Sequence, residues 1–471
     1  MHNNMNKNMF RIMRVFIVLF VLLIINLSYI QVIKSDWFTN NPLNPRIANR
    51  ANNTLRGDIM DCNGKKIAYS KKSGEKIERI YPYNELFAAP VGYLGKNIGS
   101  AGIEQSQNSN LCGINMTLHK LGPIEQLFMV EKGNSVKLTL NADIQKSAWD
   151  AMGNRRGAVV VMDAATGAVL AMVSKPSFNP NTVDEDWKKL YADKASPLLN
   201  RAAQGLYPPG SSIKPMIADA ALAQNVINTT EKIYCGPYYD LGNNQKIGEA
   251  DKAVYGSINL EQGLIHSSNV MFAGLAVKMG SEGLQQAFKR FGFYDNFQTD
   301  FAAQMPHIPN FPKLSKGETA QVGIGQADLL VSPLRMAMLA SAFGNNGKCM
   351  KPYLVAQVLS PQGQVIHTTM PAEFKEVTTP DRANIIDNYM KAVVLQGTGR
   401  KAIVKGVTIA GKTGTAENPF GADHAWFIGT AQVGTKHIAF AVILENSGYG
   451  GSEAAPVIKD IINTMLKEDQ K

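Results

Sequence analysis

The longest apolar run comes first. From Val15 to Ile33 the chain carries no charge, reading Val-Phe-Ile-Val-Leu-Phe-Val-Leu-Leu-Ile-Ile before a more polar end with Asn26, Ser28, Tyr29 and Gln31. As a helix it spans roughly 28 Å, about one hydrocarbon core. Lys7, Arg11 and Arg14 precede it, which predicts a cytoplasmic N-terminus over residues 1–14. No small-residue cleavage site follows, and Lys34-Ser35-Asp36-Trp37 reads as an interfacial flank. The expectation is a retained single-pass anchor over 15–33 in the plasma membrane, with the rest of the chain extracytoplasmic.

Residues 34–135 are less periodic and richer in Asn, Gly and Lys. An Asn63-Gly64 turn before Lys65–Tyr69 predicts a short hairpin, with further apolar pieces at Ala89–Gly95 and Gly102-Ile103-Glu104. This stretch reads as a small mixed pedestal or docking module. From Val136 the pattern becomes regular. Asn141 caps a predicted helix to about Met152, with Ile144, Ala148 and Met152 at helical spacing. Gly157–Asp163 and Ala168–Ser174 read as strands joined by a turn, and helices are predicted from Ser211 and across 259–292. Thr408–Thr415, His424–Gln432 and His437–Leu444 read as strands, and Ala454–Leu466 as a closing helix. Strands at both ends of 136–471 predict one sheet with flanking helices beside a helical lobe, an α+β arrangement with a site in the cleft between.

Composition narrows the class. With 45% hydrophobic and 18% charged residues the chain is an ordinary globular one. Its net charge is +10, and half of that excess falls in the first sixty residues, where seven basic residues face two acidic ones. That placement suits an anionic membrane surface, and no nucleic-acid motif is present, so no nucleic-acid partner is expected. Cys62, Cys112, Cys235 and Cys349 form no C-x-x-C pair and the seven histidines form no H-E-x-x-H, so neither metal nor cofactor is expected. Three disulfide pairings stay open, and free buried thiols are the simpler expectation.

The chemistry centres on Tyr207-Pro208-Pro209-Gly210-Ser211-Ser212-Ile213-Lys214. Two prolines and a glycine force a turn before a helix start, placing Ser211 where backbone N–H groups are free. Lys214 lies three residues on, on the same face. To act as a base it must fall from ~10.4 toward ~7–8, by burial or a second cation, and Lys412 is the candidate cation. A second S-x-x-K, Ser73 to Lys76, lacks the helix-start context and reads as a solvated loop. Ser267-Ser268-Asn269 lies between apolar helical runs. Ser106-Gln107-Asn108, Ser177-Phe178-Asn179 and Ser257-Ile258-Asn259 share its S-x-N pattern, so alone it reads as a capping loop. Lys412-Thr413-Gly414 sits on a strand whose glycines permit close backbone approach.

In order, S-x-x-K at 211–214, S-x-N at 267–269 and K-T-G at 412–414 make the signature of penicillin-recognising serine acyltransferases. With Pro197-Leu198-Leu199-Asn200-Arg201-Ala202, His424-Ala425-Trp426-Phe427 and Arg56-Gly57-x-Ile59-x-Asp61-x-Asn63-Gly64, the chain resembles class B penicillin-binding proteins. Two departures are Cys62, where the family commonly has arginine, and Ala327, in place of a glycine. The resemblance implies a transpeptidase domain over 136–471 that cross-links peptidoglycan stem peptides on lipid-linked or nascent glycan strands. It implies Ser211 as nucleophile, Lys214 as base, Ser267 as proton relay and Asn269 as the holder of the substrate amide and Lys214. Lys412 with Thr413, Gly414 and Thr415 would bind the substrate carboxylate, and N–H groups of Ser211 and Thr415 would form an oxyanion hole. β-Lactams would inhibit. A polytopic glycosyltransferase of the shape, elongation, division and sporulation (SEDS) family would supply strands. A D,D-carboxypeptidase or β-lactamase, a β-lactam sensor and an inactive scaffold stay open as alternatives.

Overall fold

The computed structural model describes residues 2–34, 54–74, 76–96, 98–113, 132–419 and 421–469. Helix α1 (His2–Ser28) passes into a π-helical turn at Tyr29–Ile33. From Met9 onward its apolar side chains are exposed, and Met9–Ser28 is long and apolar enough to cross a membrane. The expected flank at residues 35–37 lies outside the described residues.

Next come β1 (Ile59–Met60), β2 (Lys66–Ser73), β3 (Lys76–Ile80) and β4 (Ser135–Leu138). The β1–β2 turn is closed by Asp61, whose carboxylate accepts the N–H groups of Asn63 at 2.9 Å and Lys65 at 2.7 Å. Its other oxygen accepts the Ala142 N–H at 3.2 Å, tying this turn to helix α2 (Ala142–Met152). As the sequence predicts, Asn141 caps α2, accepting the N–H groups of Asp143 and Ile144.

The chain continues through β5 (Gly157–Asp163), β6 (Val169–Lys175), α3 (Lys214–Ala223) and a hairpin of β7 (Tyr238–Gly242) and β8 (Gln245–Gly248). Helices α4 (Leu260–His266), α5 (Asn269–Arg290) and α6 (Pro333–Gly344) follow, then β9 (Val355–Leu359), β10 (Val365–Thr368) and α7 (Pro380–Gln396). The end is β11 (Thr408–Ala416), β12 (His424–Val433), β13 (Lys436–Leu444) and α8 (Gly450–Asp469). The strands at both ends form one antiparallel sheet in the order β11-β12-β13-β5-β6.

The near-continuous apolar runs of this sheet have a plain cause. Side chains alternate along a strand, so both faces must be covered. In β5, Val159 and Val161 pack into a core with α2 and α8, while Ala158, Val160 and Met162 face the core shared with α3 and α6. A second sheet, β10-β9-β4-β1-β2-β3, was not foreseen. Here β9, from late in the chain, pairs with β4. The expected division at 135/136 therefore runs along a strand shared by both regions.

Candidate active site

A 3-10 turn, Gly210–Ile213, carries Ser211 and leads into α3, which begins at Lys214. The turn is held from three sides. The Trp426 indole Nε1 donates to Pro208 O at 3.0 Å, and the Gly210 N–H donates to Gly325 O at 2.9 Å. Gly210 has φ +53°, and a Cβ there would lie 2.5 Å from Thr415 O. Gly414 faces the same turn, since its Cβ would stand 3.0 Å from Pro209 O and from Ser212 N. The glycine of K-T-G thus sets the distance between β11 and the Ser211 turn.

Ser267 ends α4 with φ +57°, a left-handed residue that turns its carbonyl and hydroxyl toward two buried amines. Lys214 Nζ donates to Ser267 O at 2.7 Å and to Asn269 Oδ1 at 2.7 Å, and lies 3.4 Å from Ser267 Oγ. Lys412 Nζ donates to Ser267 Oγ and to Thr413 O, both at 2.8 Å. Both lysines are fully buried. Burial lowers the Lys214 amine to about 7, against the upward pull of Glu249. Burial, then the charge of Lys214, pushes Lys412 well below the ordinary lysine range. Burial is thus the larger cause at each amine.

These groups open onto a cleft of about 580 Å³ lined by Ser211, Ser267, Asn269, Thr413 and Thr415. Lys214 and Lys412 lie beneath it, with the Lys412 amine turned to Ser267. Thr398 Oγ1 is 2.5 Å from Thr413 Oγ1, and Tyr449 completes that wall. Also in the lining, Tyr255 stacks on His266 with ring centroids 4.6 Å apart. Ala327 lies in the lining with φ +62°. Glu249, Thr398 and Tyr449 were missed from sequence because none sits in a patterned motif. The alternative Ser73 and Lys76 pair across the β2–β3 hairpin, well away from any helix start. Asn259 of another S-x-N copy caps α4 in a capping box with Gln262. Cys62, half-buried, and Cys235 and Cys349, both buried, are free thiols, while buried Cys112 accepts from Arg56 Nη1 at 3.0 Å.

Residues 157–463 match the penicillin binding protein transpeptidase domain, and residues 56–126 match the penicillin binding protein A dimerisation domain. The chain is 31% identical to the peptidoglycan D,D-transpeptidase PbpA of Mycolicibacterium smegmatis, over 98% of this chain and 100% of that protein. It is 30% identical to the peptidoglycan D,D-transpeptidase MrdA of Acinetobacter baumannii, over 85% of this chain and 68% of that one. Penicillin-binding protein A from M. tuberculosis, solved as a ceftriaxone acyl-enzyme complex, superposes with a TM-score of 0.81 at 29% identity, covering 89% of this chain and 100% of that one. The chain belongs to the penicillin-binding protein transpeptidase family, with the architecture of its class B members.

Proposed function

We propose that this chain is a peptidoglycan D,D-transpeptidase working through a Ser211 acyl-enzyme. The observation that carries the reading is the convergence of two buried amines on Ser267 beside the Ser211 turn. In this mechanism neutral Lys214 takes the Ser211 hydroxyl proton as Oγ attacks the carbonyl between two D-alanines. The peptide C–N bond breaks, and Ser267 passes a proton to the departing amine. The amine of a neighbouring stem peptide then attacks the ester. The C–O bond to Ser211 breaks, and a proton returns to its oxygen. Backbone N–H groups of Ser211 and Thr415 stabilise the oxyanion, each worth ~10²-fold or more. Thr413 and Thr415 receive the substrate carboxylate, whose charge favours the protonated form of Lys412 behind them. Gly414 keeps the strand close, and Asn269 aligns the substrate amide.

The retained anchor, the second module and relatives matched over most of this length favour this reading over a carboxypeptidase. Residues 1–14 form the cytoplasmic tail, 15–33 the anchor, 34–135 the docking module and 136–471 the extracytoplasmic transpeptidase domain. A polytopic SEDS-family glycosyltransferase supplies strands by docking on anchor and module, leaving the cleft open. Co-purification from membranes compares the full chain with a chimera carrying an unrelated anchor and a variant lacking residues 41–130. Equal retrieval of one polymerase by all three, or by none, contradicts this docking.

The activity test supplies the detergent-solubilised full chain with a pentapeptide donor and an acceptor amine, read by mass spectrometry. A cross-linked product with loss of one D-alanine is expected. Hydrolysis alone indicates a carboxypeptidase, and penicillin capture without peptide turnover indicates a sensor or scaffold.

A further inference from the structure

Helix α5 begins at Asn269, and its first N–H groups have no partner within the helix. A carboxylate from outside the three motifs meets them. Glu249, directly after β8 and buried, accepts the Asn269 N–H at 2.8 Å through Oε2 and the Val270 N–H at 3.0 Å through Oε1. The Ser268 hydroxyl also donates to Oε1 and itself accepts the Met271 N–H at 3.1 Å. Beside it, Asn269 Nδ2 donates to Gly248 O at 3.0 Å. The Glu249 N–H donates to Pro237 O at 3.0 Å, anchoring the far end of the β7–β8 hairpin.

This arrangement settles which way the Asn269 amide points. A carboxamide has one acceptor end and one donor end. With Nδ2 engaged by Gly248 O, the oxygen is left to face Lys214 Nζ. We propose that Glu249 is a positioning residue for the acyl transfer: it locks the start of α5 to the β7–β8 hairpin and so aims Asn269 Oδ1 at the Lys214 amine. Resting on the transpeptidase reading above, this assigns the hairpin a task in the reaction.

Glu249 also acts through charge, because it favours the protonated form of Lys214. The charged groups facing Lys214 are Lys412 from β11 and Glu249 itself, and the neighbours of Glu249 include Cys235 and Tyr255. Replacing Glu249 by a neutral residue therefore makes Lys214 lose its proton at lower pH.

The experiment measures acylation of the full chain by a fluorescent penicillin against pH, for wild type, Glu249→Gln and Glu249→Ala, with thermal midpoints alongside. Glu249→Ala is expected to slow acylation by about 10- to 100-fold. Glu249→Gln, which keeps one acceptor oxygen, slows it less. In both, the acid limb of the profile moves to lower pH. A merely structural glutamate lowers the active fraction but leaves the acylation rate of the folded fraction at the wild-type value, and that result overturns the proposal wherever the limb lies. So do wild-type rates and limbs in both variants. Should Glu249→Ala fail to fold, the folded-fraction rate of Glu249→Gln decides. A wild-type chain that takes up no penicillin sinks the transpeptidase reading itself, and the proposal with it.

Discussion

Lys214 makes the sharpest claim at the scale of single residues. A lysine lowered to about 7 is mostly protonated below that pH and neutral above it, and in the proposed mechanism only the neutral amine takes the serine proton. Acylation by penicillin should therefore fall about tenfold per unit well below pH 7 and level off above it. A stopped-flow pH profile checks this, and a flat profile between pH 5 and 8 contradicts it. Lys412→Ala should slow acylation by roughly 100-fold with a much smaller loss of thermal stability, because its amine serves Ser267 and the strand carbonyl. Equal loss of folding and rate points to a structural lysine. Ala327 holds φ +62°, which a glycine adopts without strain. Ala327→Gly should stabilise by about 0.5–1 kcal/mol in thermal melts, and a fall in midpoint refutes this. The gathering of Ser211, Lys214, Ser267, Asn269 and Lys412 about one cleft was legible because motif spacing places them near helix and strand ends. Glu249 was not, since a lone glutamate between a hairpin and a loop has no periodicity to betray its burial.

Among the elements, the contact between β11 and the Ser211 turn rests on the absence of two side chains. A methyl on Gly414 would press on Trp426 Cβ at 2.9 Å and on backbone at 3.0 Å, and one on Gly210 would press on Thr415 O at 2.5 Å and sit at φ +53°. Gly414→Ala should leave the fold largely intact and slow acylation, whereas Gly210→Ala should also cost ~1–3 kcal/mol. Paired melts and labelling rates test the order, and the reverse order contradicts this packing. The five strands of the main sheet were readable from their apolar runs and turns. The six-stranded sheet was not. Its β10 is exposed along its whole length, and β9 pairs with β4 across more than two hundred residues, so no local pattern reports the partnership.

For the molecule as a whole, the region between helix α1 and the main sheet is tied by buried charge. Glu104 accepts from Arg56 at 2.8 Å and from Arg79 at 2.6 Å, with its side chain fully buried. Burial alone would raise its carboxyl, but Arg79 and Arg56 hold it below the ordinary range. Glu104→Ala leaves two cations unpaired, which should cost about 3–5 kcal/mol while the folded fraction acylates at the wild-type rate. An acylation defect in folded protein would instead couple this region to the cleft. The whole reaction depends on one serine carrying the acyl group. The most direct test incubates the full chain in detergent with penicillin and maps the adduct by peptide mass spectrometry. The expected result is a single penicilloyl group on Ser211, with none on Ser73 and none in a folded Ser211→Ala variant. An adduct on any other residue, or one that persists without Ser211, rules out Ser211 as the single acyl carrier.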